Sequence, residues 1–373
     1  MYETGLQHLT WQNIVMLAVG IGFLFLSIKK KIEPYELLPL GVGIILANLP
    51  LTGLMTVVSG QQGLLYTIYK YGILWTIFPT LIFVGLGAMT DFGPLIANPK
   101  TLILGSAAQI GIYCAFLLGI LCGFTPAESC CIGIIGGADG PTTIYLTTFL
   151  RPKIPDFIPF LAVVSVAAYT YMAMVPIFQP PIAKALTTKE ERKIKMKALR
   201  PVSKTEKILF PIIMSFVIIL LVPRAGTLIG CFCFGNILRE SGVVPRLSKT
   251  AQNELINLIT LFLCLCIGAS MNGNVILQWK MMMILGLGLI AICGGTAGGV
   301  LIAKLMNYFS KEKINPLIGA AGVSAVPMAA RTVQKIALKE DPTNHILMHA
   351  MGPNIAGVIG SATAAGIFLG MLG

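Results

Sequence analysis

The chain has 373 residues, of which 55% are hydrophobic and only 11% are charged, whereas soluble globular proteins usually carry ~25% charged residues. This composition excludes a water-soluble fold and predicts a membrane protein with several spans. The net charge of +12 does not indicate nucleic-acid binding, because residues 184–207 alone supply half of it. Aromatic side chains do not interleave with these charges, and the segment is typical of a basic loop between spans.

Apolar runs predict the membrane segments, because a helix needs ~20 mostly apolar residues to cross the hydrocarbon core. The runs are continuous rather than alternating, which favours a helical bundle over a β-barrel. The predicted segments, in chain order, are residues 4–28, 37–58, 71–90, 101–123, 130–149, 157–183, 208–223, 225–238, 255–271, 281–303, 314–330 and 342–373.

The basic residues Lys29 to Lys31 and the basic loop, residues 184–207, are both expected on the cytoplasmic side, which puts the N-terminus outside. The chain must then cross an even number of times between them, but five segments lie there. We therefore predict that residues 130–149, interrupted by a Gly-Gly-Ala-Asp-Gly-Pro string, form a broken or re-entrant segment entered from outside. Arg151 and Lys153 then lie outside, a mild departure from the positive-inside rule.

The two halves of the chain resemble each other. Residues 86–105 align without gaps on residues 267–286, with five identities among glycine, alanine, isoleucine and leucine. A string of small residues follows each match, at residues 135–141 and 318–324. The crossing count places the first match inside and the second outside, so the repeats are predicted to be inverted.

We therefore predict an all-α polytopic membrane protein, an inverted-repeat helical bundle whose two broken segments meet near the midplane of the bilayer. Such paired breaks predict a central Na⁺ or H⁺ site, because unwound backbone offers carbonyls and half-helix ends add their dipoles. The predicted parts are N-terminal membrane helices at 1–70, a first repeat at 71–183 with its break at 130–149, the basic loop at 184–207, and a second repeat at 208–373 with its break at 314–330.

Asp139 lies in the first break, where a carboxylate at membrane depth costs at least ~2.5–3.5 kcal/mol. We expect it to face a cavity or an ion, with Thr142 and Thr143 adding hydroxyl oxygens. The alternative is a structural role, in which Asp139 caps a helix that begins at Pro141. The two roles are compatible.

The second break and the last run offer further hard oxygen ligands of the kind that Na⁺ prefers. Asn315, Gly319 and Ser324 supply an amide, a free carbonyl and a hydroxyl, and Asn354 follows another Gly-Pro break. For the glycine and the serine, close helix packing is an equally good interpretation. For Arg331, which ends the second break, the alternative is an ordinary arginine that extends to the cytoplasmic surface.

Other polar and sulfur side chains give weaker signals. Tyr169 and Tyr171 are typical packing or interface residues, although a phenol can also serve a proton or a ligand. His345 and His349 share a helical face without a nearby carboxylate, so a metal site is not expected. All nine cysteines lie in apolar runs, which favours buried thiols over disulfides or a transition-metal site.

Several long strings, in the right order, resemble the integral-membrane beta subunit of the biotin-dependent, sodium-translocating decarboxylases. That family includes the oxaloacetate, methylmalonyl-CoA and glutaconyl-CoA enzymes. The likeness runs from about residue 70 to the C-terminus and rests on residues 136–142, 168–176, 179–188, 235–243, 314–327 and 348–354.

The resemblance implies a division of labour within a complex of the inner (cytoplasmic) membrane. A soluble carboxyltransferase alpha subunit moves CO₂ from an acid onto the biotin of a separate biotin carrier protein. The beta subunit decarboxylates the carboxybiotin while it exports Na⁺ and takes up a proton from the periplasmic side. A small membrane-anchoring subunit and membrane lipids are further implied partners. Whether the chain also forms a homo-oligomer is left open. The chain has no Met-Lys-Met biotinylation string, so biotin is expected on a partner.

The resemblance also implies roles for single residues. The Na⁺ ligands are expected to be Asp139, Asn315, Gly319, Ser324 and Asn354. Asp139 is further expected to exchange Na⁺ for a proton, so that it shares in the chemistry.

Arg331 is expected at the cytoplasmic mouth, where Lys311 and Lys313 place the cytoplasm, and there it would bind carboxybiotin. Tyr171 is expected to take part in the chemistry. Met328 departs from the oxaloacetate type, in which a polar or acidic residue follows Val-Pro, and this favours a CoA-ester enzyme. The rival classes are a stand-alone Na⁺-coupled secondary transporter and a structural membrane anchor, and a carboxylate inside the membrane argues against the anchor.

Overall fold

The computed structural model describes residues 4–58, 61–310 and 312–373, so the predicted position of Lys311 lies outside the described residues. The described part is almost entirely helical, which confirms the predicted all-α class. One two-residue antiparallel ladder pairs β1 (Val57–Val58) with β2 (Gln61–Gln62).

The α-helices of the first half are α1 (Trp11–Lys30), α2 (Pro34–Asn48), α3 (Leu64–Ile68), α4 (Ile77–Met89), α5 (Gly93–Ala97), α6 (Thr101–Ala108), α7 (Ile110–Leu121), α8 (Pro126–Ile134), α9 (Gly140–Phe149), α10 (Phe157–Ala173), α11 (Val175–Leu186) and α12 (Lys189–Arg192). Those of the second half are α13 (Lys204–Leu221), α14 (Gly226–Ser241), α15 (Pro245–Thr250), α16 (Ile256–Ala269), α17 (Gly273–Ile276), α18 (Trp279–Phe309), α19 (Leu317–Ala320), α20 (Met328–Glu340) and α21 (Leu347–Leu372). Short 3₁₀ or π turns lie at Gly5–His8, Tyr69–Leu74, Ile135–Gly137, Arg151–Lys153, Pro223–Ala225 and Ala251–Leu255.

Several helices are long and apolar enough to span a membrane, which confirms a polytopic bundle. Five pass on length and hydropathy: Trp11–Lys30, Thr101–Leu121, Pro245–Ala269, Trp279–Phe309 and Leu347–Leu372. Two further spans are bent by 63°, one between Leu74 and Ile77 and one between Ala173 and Val175. The second bend immediately precedes Pro176, whose missing N–H removes a helical hydrogen bond.

Two predicted boundaries near the N-terminus differ from the structure. The first span begins at Trp11 rather than at residue 4, because Thr10 and Asn13 form a capping box there. The second ends at Asn48 rather than at residue 58, since the chain turns away at Leu49 and Pro50. Apolar composition alone did not reveal these turns.

The same order of elements occurs twice. In the first half, α4, the short α5, the long α6–α7 pair, the half-helix α8, a break, the half-helix α9 and α10 follow one another. In the second half the order is α16, α17, α18, α19, a break, α20 and α21. The matching strings found in the sequence thus begin two units with the same sequence of elements.

The two units have opposite orientations. This follows from their long helices, α6–α7 and α18, which correspond to each other and run antiparallel in direct contact. A Cβ atom on Gly111 in α7 would clash with the Ala291 carbonyl and approach Gly295 in α18. The Ala107 carbonyl of α6, earlier in the chain, approaches Gly298, which comes later on α18. Glycines permit this close approach, which is typical of tightly packed membrane helices.

Ion pairs gather one set of loops at the end of the bundle that carries the basic loop. The Lys207 ammonium lies 2.8 Å from the Asp91 carboxylate, which joins the start of α13 to the turn after α4. In the same loop, Arg192 contacts Glu340 at 3.0 Å, at the end of α20.

Other contacts gather the remaining loops at the opposite end. α21 starts shortly after Glu340, the residue that contacts Arg192. The helix rises about 39 Å over its 26 residues, so Leu372 lies at the opposite end of the bundle. The Lys153 ammonium donates to the Leu372 carbonyl, which places Lys153 opposite the basic loop. This position agrees with a first broken segment that enters and leaves on one side.

Candidate functional site at the crossing of the two breaks

The first break is a turn of irregular backbone between α8 and α9. After the 3₁₀ turn Ile135–Gly137, Ala138 adopts a left-handed conformation with φ of 54°. Asp139 is extended and caps α9, since its Oδ1 accepts the Thr142 N–H at 3.1 Å. The capping role predicted as the structural alternative is therefore present.

The second carboxylate oxygen of Asp139 is held by two hydroxyl groups. Thr142 Oγ1 and Ser361 Oγ each donate to Oδ2 at 2.7 Å. The side chain is only 3% exposed. Three donors on a buried carboxylate stabilise its negative charge. The Thr143 hydroxyl donates instead to the Asp139 backbone carbonyl at 2.8 Å.

The second break contacts the first directly, as predicted. The Ser324 N–H donates to the Gly137 carbonyl at 2.8 Å. The Ser324 hydroxyl donates to Ser361 Oγ at 3.1 Å, and Ser361 in turn donates to Asp139. A chain of two serines thus connects the carboxylate to the second break.

Ser361 is a site residue that the sequence reasoning missed. It lies seven residues after Asn354 on α21, so two helical turns place both side chains on one face of the helix. That spacing was the available signal.

Asn354 lies against the second break and leaves an oxygen free. Its Nδ2 donates to the Val323 carbonyl at 2.6 Å, and the side chain is fully buried. Its Oδ1 accepts no hydrogen bond in the described part of the chain. An unpaired buried amide oxygen is costly, and a cation would satisfy it.

Asn315 and Gly319 make packing contacts around the second break. The Asn315 amide donates to the carbonyls of Arg192 and Ile194 at 2.9 and 3.0 Å. A Cβ atom on Gly319 would clash with the Gly299 carbonyl of α18. The structure therefore gives these two positions contacts that anchor the loop and let helices approach closely.

The two tyrosines of α10 face different surroundings. The Tyr171 hydroxyl donates to the Leu285 carbonyl of α18 at 2.7 Å. Tyr169 instead lies against Gly140, where a Cβ atom would clash with its ring, and lines the cavity beside Asp139. Its hydroxyl has no hydrogen-bond partner among the described residues.

A cavity of about 80 Å³ lies between the two breaks and the first helices. Its polar lining residues are Glu36, Asp139, Tyr169, Thr260 and Ser324. In the liquid each water occupies ~30 Å³, so the cavity has room for a few waters or a partly hydrated ion.

Arg331 lies one turn after Met328, which lines this cavity at the start of α20. The Arg331 side chain is exposed. Burial raises the pKa of Glu33, in the turn between α1 and α2, and the charge of Arg331 opposes this shift. Arg331 therefore lies near the end of the bundle where Lys29 to Lys31 precede Glu33.

The donors beside Asp139 are all oxygens, which suits a hard monovalent cation. They are the Asp139 carboxylate and the Ser324 and Ser361 hydroxyls, while the unpaired Asn354 amide oxygen lies two turns earlier on α21. Over residues 4–58, 61–310 and 312–373, no three histidine, cysteine, aspartate or glutamate side chains come together as metal ligands.

The family model of the Na⁺-transporting oxaloacetate decarboxylase beta subunit matches residues 12–372. The chain belongs to this family. Its sequence is 51% identical to the methylmalonyl-CoA decarboxylase subunit beta of Propionigenium modestum, over 100% of this chain and 98% of the relative. The glutaconyl-CoA decarboxylase subunit beta of Acidaminococcus fermentans is 52% identical, over 100% and 96%. The oxaloacetate decarboxylase beta chain of Klebsiella pneumoniae is 49% identical, over 98% and 96%.

Membership of the family confirms the resemblance read from the sequence motifs. The chain is a membrane-embedded beta subunit of a Na⁺-transporting decarboxylase, and it works in a multi-subunit complex. The likeness also extends further than the motifs indicated, since the matched region begins at residue 12 and includes α1 and α2.

Replacing Ser361 by alanine is expected to weaken the apparent Na⁺ affinity of decarboxylation roughly tenfold, because a hydrogen bond to a charged group is worth about 1.5 kcal/mol or more. The measurement is the Na⁺ dependence of turnover by the purified complex. Thr363→Val is the matched control, since the Thr363 hydroxyl donates, within the described part of the chain, only to the Ile359 carbonyl of its own helix. Equal Na⁺ dependence in both variants would contradict the role of Ser361.

Proposed function

We propose that the chain decarboxylates carboxybiotin on a separate biotin carrier protein and couples this step to Na⁺ export with proton uptake. The observation that carries the proposal is the buried Asp139 carboxylate, which lies where the two breaks meet. Family membership supports the sodium and decarboxylase parts, and the buried oxygen cluster supports a cation site within the membrane.

Asp139 is the group that Na⁺ and the proton share in this proposal. Na⁺ binds the carboxylate together with the oxygens of Ser324, Ser361 and Asn354. A proton that reaches the carboxylate neutralises it, so Na⁺ loses its charged ligand and leaves. The negative charge of Asp139 is then balanced at every stage, either by Na⁺ or by a proton. Such a balance is needed because an unpaired charge inside the membrane is costly.

Arg331 holds the carboxylate of carboxybiotin at the cytoplasmic mouth. Its guanidinium can donate two parallel N–H···O bonds to a planar carboxylate, which a lysine cannot reproduce. Decarboxylation breaks the bond between nitrogen and the carboxyl carbon, and the ureido nitrogen takes up a proton as CO₂ leaves. Neutral biotin has lost the charge that Arg331 held, so it is released.

The partners follow from this chemistry. Biotin arrives on a carrier protein that a carboxyltransferase alpha subunit has loaded, and a small membrane-anchoring subunit completes the complex. The basic loop, at the same end of the bundle as Arg331, is a dock for an acidic partner face or for lipid headgroups. The complex lies in the inner membrane with the basic loop in the cytoplasm and the N-terminus outside.

The substrate that the complex decarboxylates is a CoA ester, of the methylmalonyl-CoA or glutaconyl-CoA class. The alignment with the glutaconyl-CoA subunit spans 371 positions, close to the length of this chain. The alignment with the Klebsiella pneumoniae oxaloacetate chain needs 423 positions, so that relative carries additional segments. Met328 also gives the cavity an apolar side chain.

The complex purified from its native membrane through this subunit is expected to contain a protein that avidin detects, and to decarboxylate a CoA ester but not oxaloacetate. The measurement is CO₂ release from methylmalonyl-CoA, glutaconyl-CoA and oxaloacetate in turn. Preference for oxaloacetate would contradict the substrate class. Na⁺ transport by a complex without any biotinylated protein would instead favour the stand-alone transporter.

Asp139→Asn is expected to abolish Na⁺-dependent decarboxylation of carboxybiotin while the complex still assembles, because an amide holds neither the charge for Na⁺ nor the exchangeable proton. Proteoliposomes with ²²Na⁺ report transport and turnover together. Asp156→Asn, at an exposed position before α10, is the control and should behave like the unchanged chain. Near-normal transport by Asp139→Asn would overturn the proposed mechanism.

Arg331→Lys is expected to lower turnover with carboxylated carrier more than it changes Na⁺ binding measured without substrate, since the lysine keeps the charge but loses the paired hydrogen bonds. Steady-state kinetics with the carrier and equilibrium ²²Na⁺ binding give the two quantities. Arg246→Lys, at an exposed position in α15, serves as control. Unchanged turnover in Arg331→Lys would remove the assigned role.

A further inference from the structure

A second carboxyl group lines the cavity that holds Asp139. Glu36 lies in the first turn of α2, which begins at Pro34, and its side chain faces the same 80 Å³ space as Asp139 and Tyr169. Its Oε2 atom is buried and has no hydrogen-bond partner in the described part of the chain. The Tyr169 hydroxyl beside it, on a side chain only 2% exposed, is also unpartnered.

The two carboxyl groups have opposite surroundings. Asp139 accepts three hydrogen bonds, from the Thr142 N–H and from the hydroxyls of Thr142 and Ser361, and these stabilise a carboxylate. No donor reaches the Oε2 atom of Glu36 from any described residue. A buried carboxyl oxygen that no donor reaches is better accommodated when the group is neutral and carries a proton.

Glu36 is also linked along the start of α2 to a residue near Arg331. It follows Glu33 by one helical turn, and Glu33 lies close enough to Arg331 to respond to its charge. Met328 of the cavity wall and Arg331 are likewise one turn apart, on α20. Glu36 is therefore a cavity carboxyl that lies within one helical turn of a residue near Arg331.

We propose that Glu36 is the proton donor for carboxybiotin and that it recovers its proton from Asp139. This inference rests on the proposed function, in which carboxybiotin is held at Arg331. The Glu36 carboxyl gives its proton to the ureido nitrogen as the bond from nitrogen to the carboxyl carbon breaks and CO₂ leaves. The resulting Glu36 carboxylate takes the proton that Asp139 received from the opposite side, and Asp139 regains its charge for the next Na⁺.

The cavity provides a route for this transfer. It has room for a few waters, which can bridge two carboxyl groups that do not touch. The unpartnered Tyr169 hydroxyl gives such waters both a donor and an acceptor. Because the cavity has two carboxyl groups, Glu36 can hold a proton while Asp139 holds Na⁺. A single carboxyl group could hold only one of the two at a time.

The test is the variant Glu36→Gln in the complete complex. We expect turnover with carboxylated carrier to fall about 100-fold, which is typical of losing a general acid. Equilibrium ²²Na⁺ binding without substrate should change less than about twofold, because the oxygens around Asp139 are untouched. Glu254→Gln, which neutralises an exposed glutamate after α15, is the matched control and should leave both quantities unchanged.

Two further readouts separate proton donation from a structural role. Glu36→Asp should recover part of the turnover, because it restores a carboxyl group. Turnover of Glu36→Ala should rise when formic acid is added, since a small acid fits the vacated space, and turnover of Glu36→Gln should not.

Normal turnover by Glu36→Gln would overturn the inference, and so would a loss of Na⁺ binding that matches the loss of turnover. A Glu36→Ala variant that formic acid does not restore would overturn it as well. These failures differ from failure of the proposed function, which would appear as normal transport by Asp139→Asn. An inactive Asp139→Asn together with a fully active Glu36→Gln would remove only the role of Glu36.

Discussion

The hydrogen bond from the Ser324 N–H to the Gly137 carbonyl is the contact on which the site depends. Neither break can satisfy all of its backbone groups within its own helix, and in a bilayer no water replaces the missing partners. Each break therefore supplies a partner for the other, and this requirement brings the two repeats together at one point. The serine hydroxyls then extend the contact from backbone to carboxylate. The cation site that we propose at this crossing thus uses a contact that the irregular backbone needs in any case.

The sequence was sufficient for the general architecture because membranes constrain it strongly. Continuous apolar runs predicted the bundle, and the Gly-rich strings around Asp139 and Ser324 predicted the breaks and their meeting. It was insufficient for the partners of single side chains. Asn315 and Gly319 are predicted as Na⁺ ligands, and the structure adds the contacts that they make with the basic loop and α18, which no local pattern in the sequence revealed.

Two residues of the site escaped sequence reasoning for different reasons. Ser361 was hidden because serine is common in tightly packed membrane helices, and only its spacing from Asn354 marked it. Glu36 was hidden because it lies near a loop rich in charges, where a glutamate is unremarkable. Its relation to Asp139 depends on α2 packing beside α10 and α16, a contact over more than 100 residues of sequence. Tertiary contacts of that separation leave no local pattern to read.

The basic loop is fastened to the second break by a pair of asparagines. Asn315 and Asn344, which flank the break and α20, both donate to the carbonyls of Arg192 and Ile194. Both asparagine side chains therefore hold the loop backbone at the same two carbonyls. A displacement of this loop is therefore passed directly to Asn315, which precedes α19, and to Asn344, which follows α20. The segment that contains the second break is thus coupled to the loop through two amide groups, one beyond each of its ends, rather than through the length of a helix.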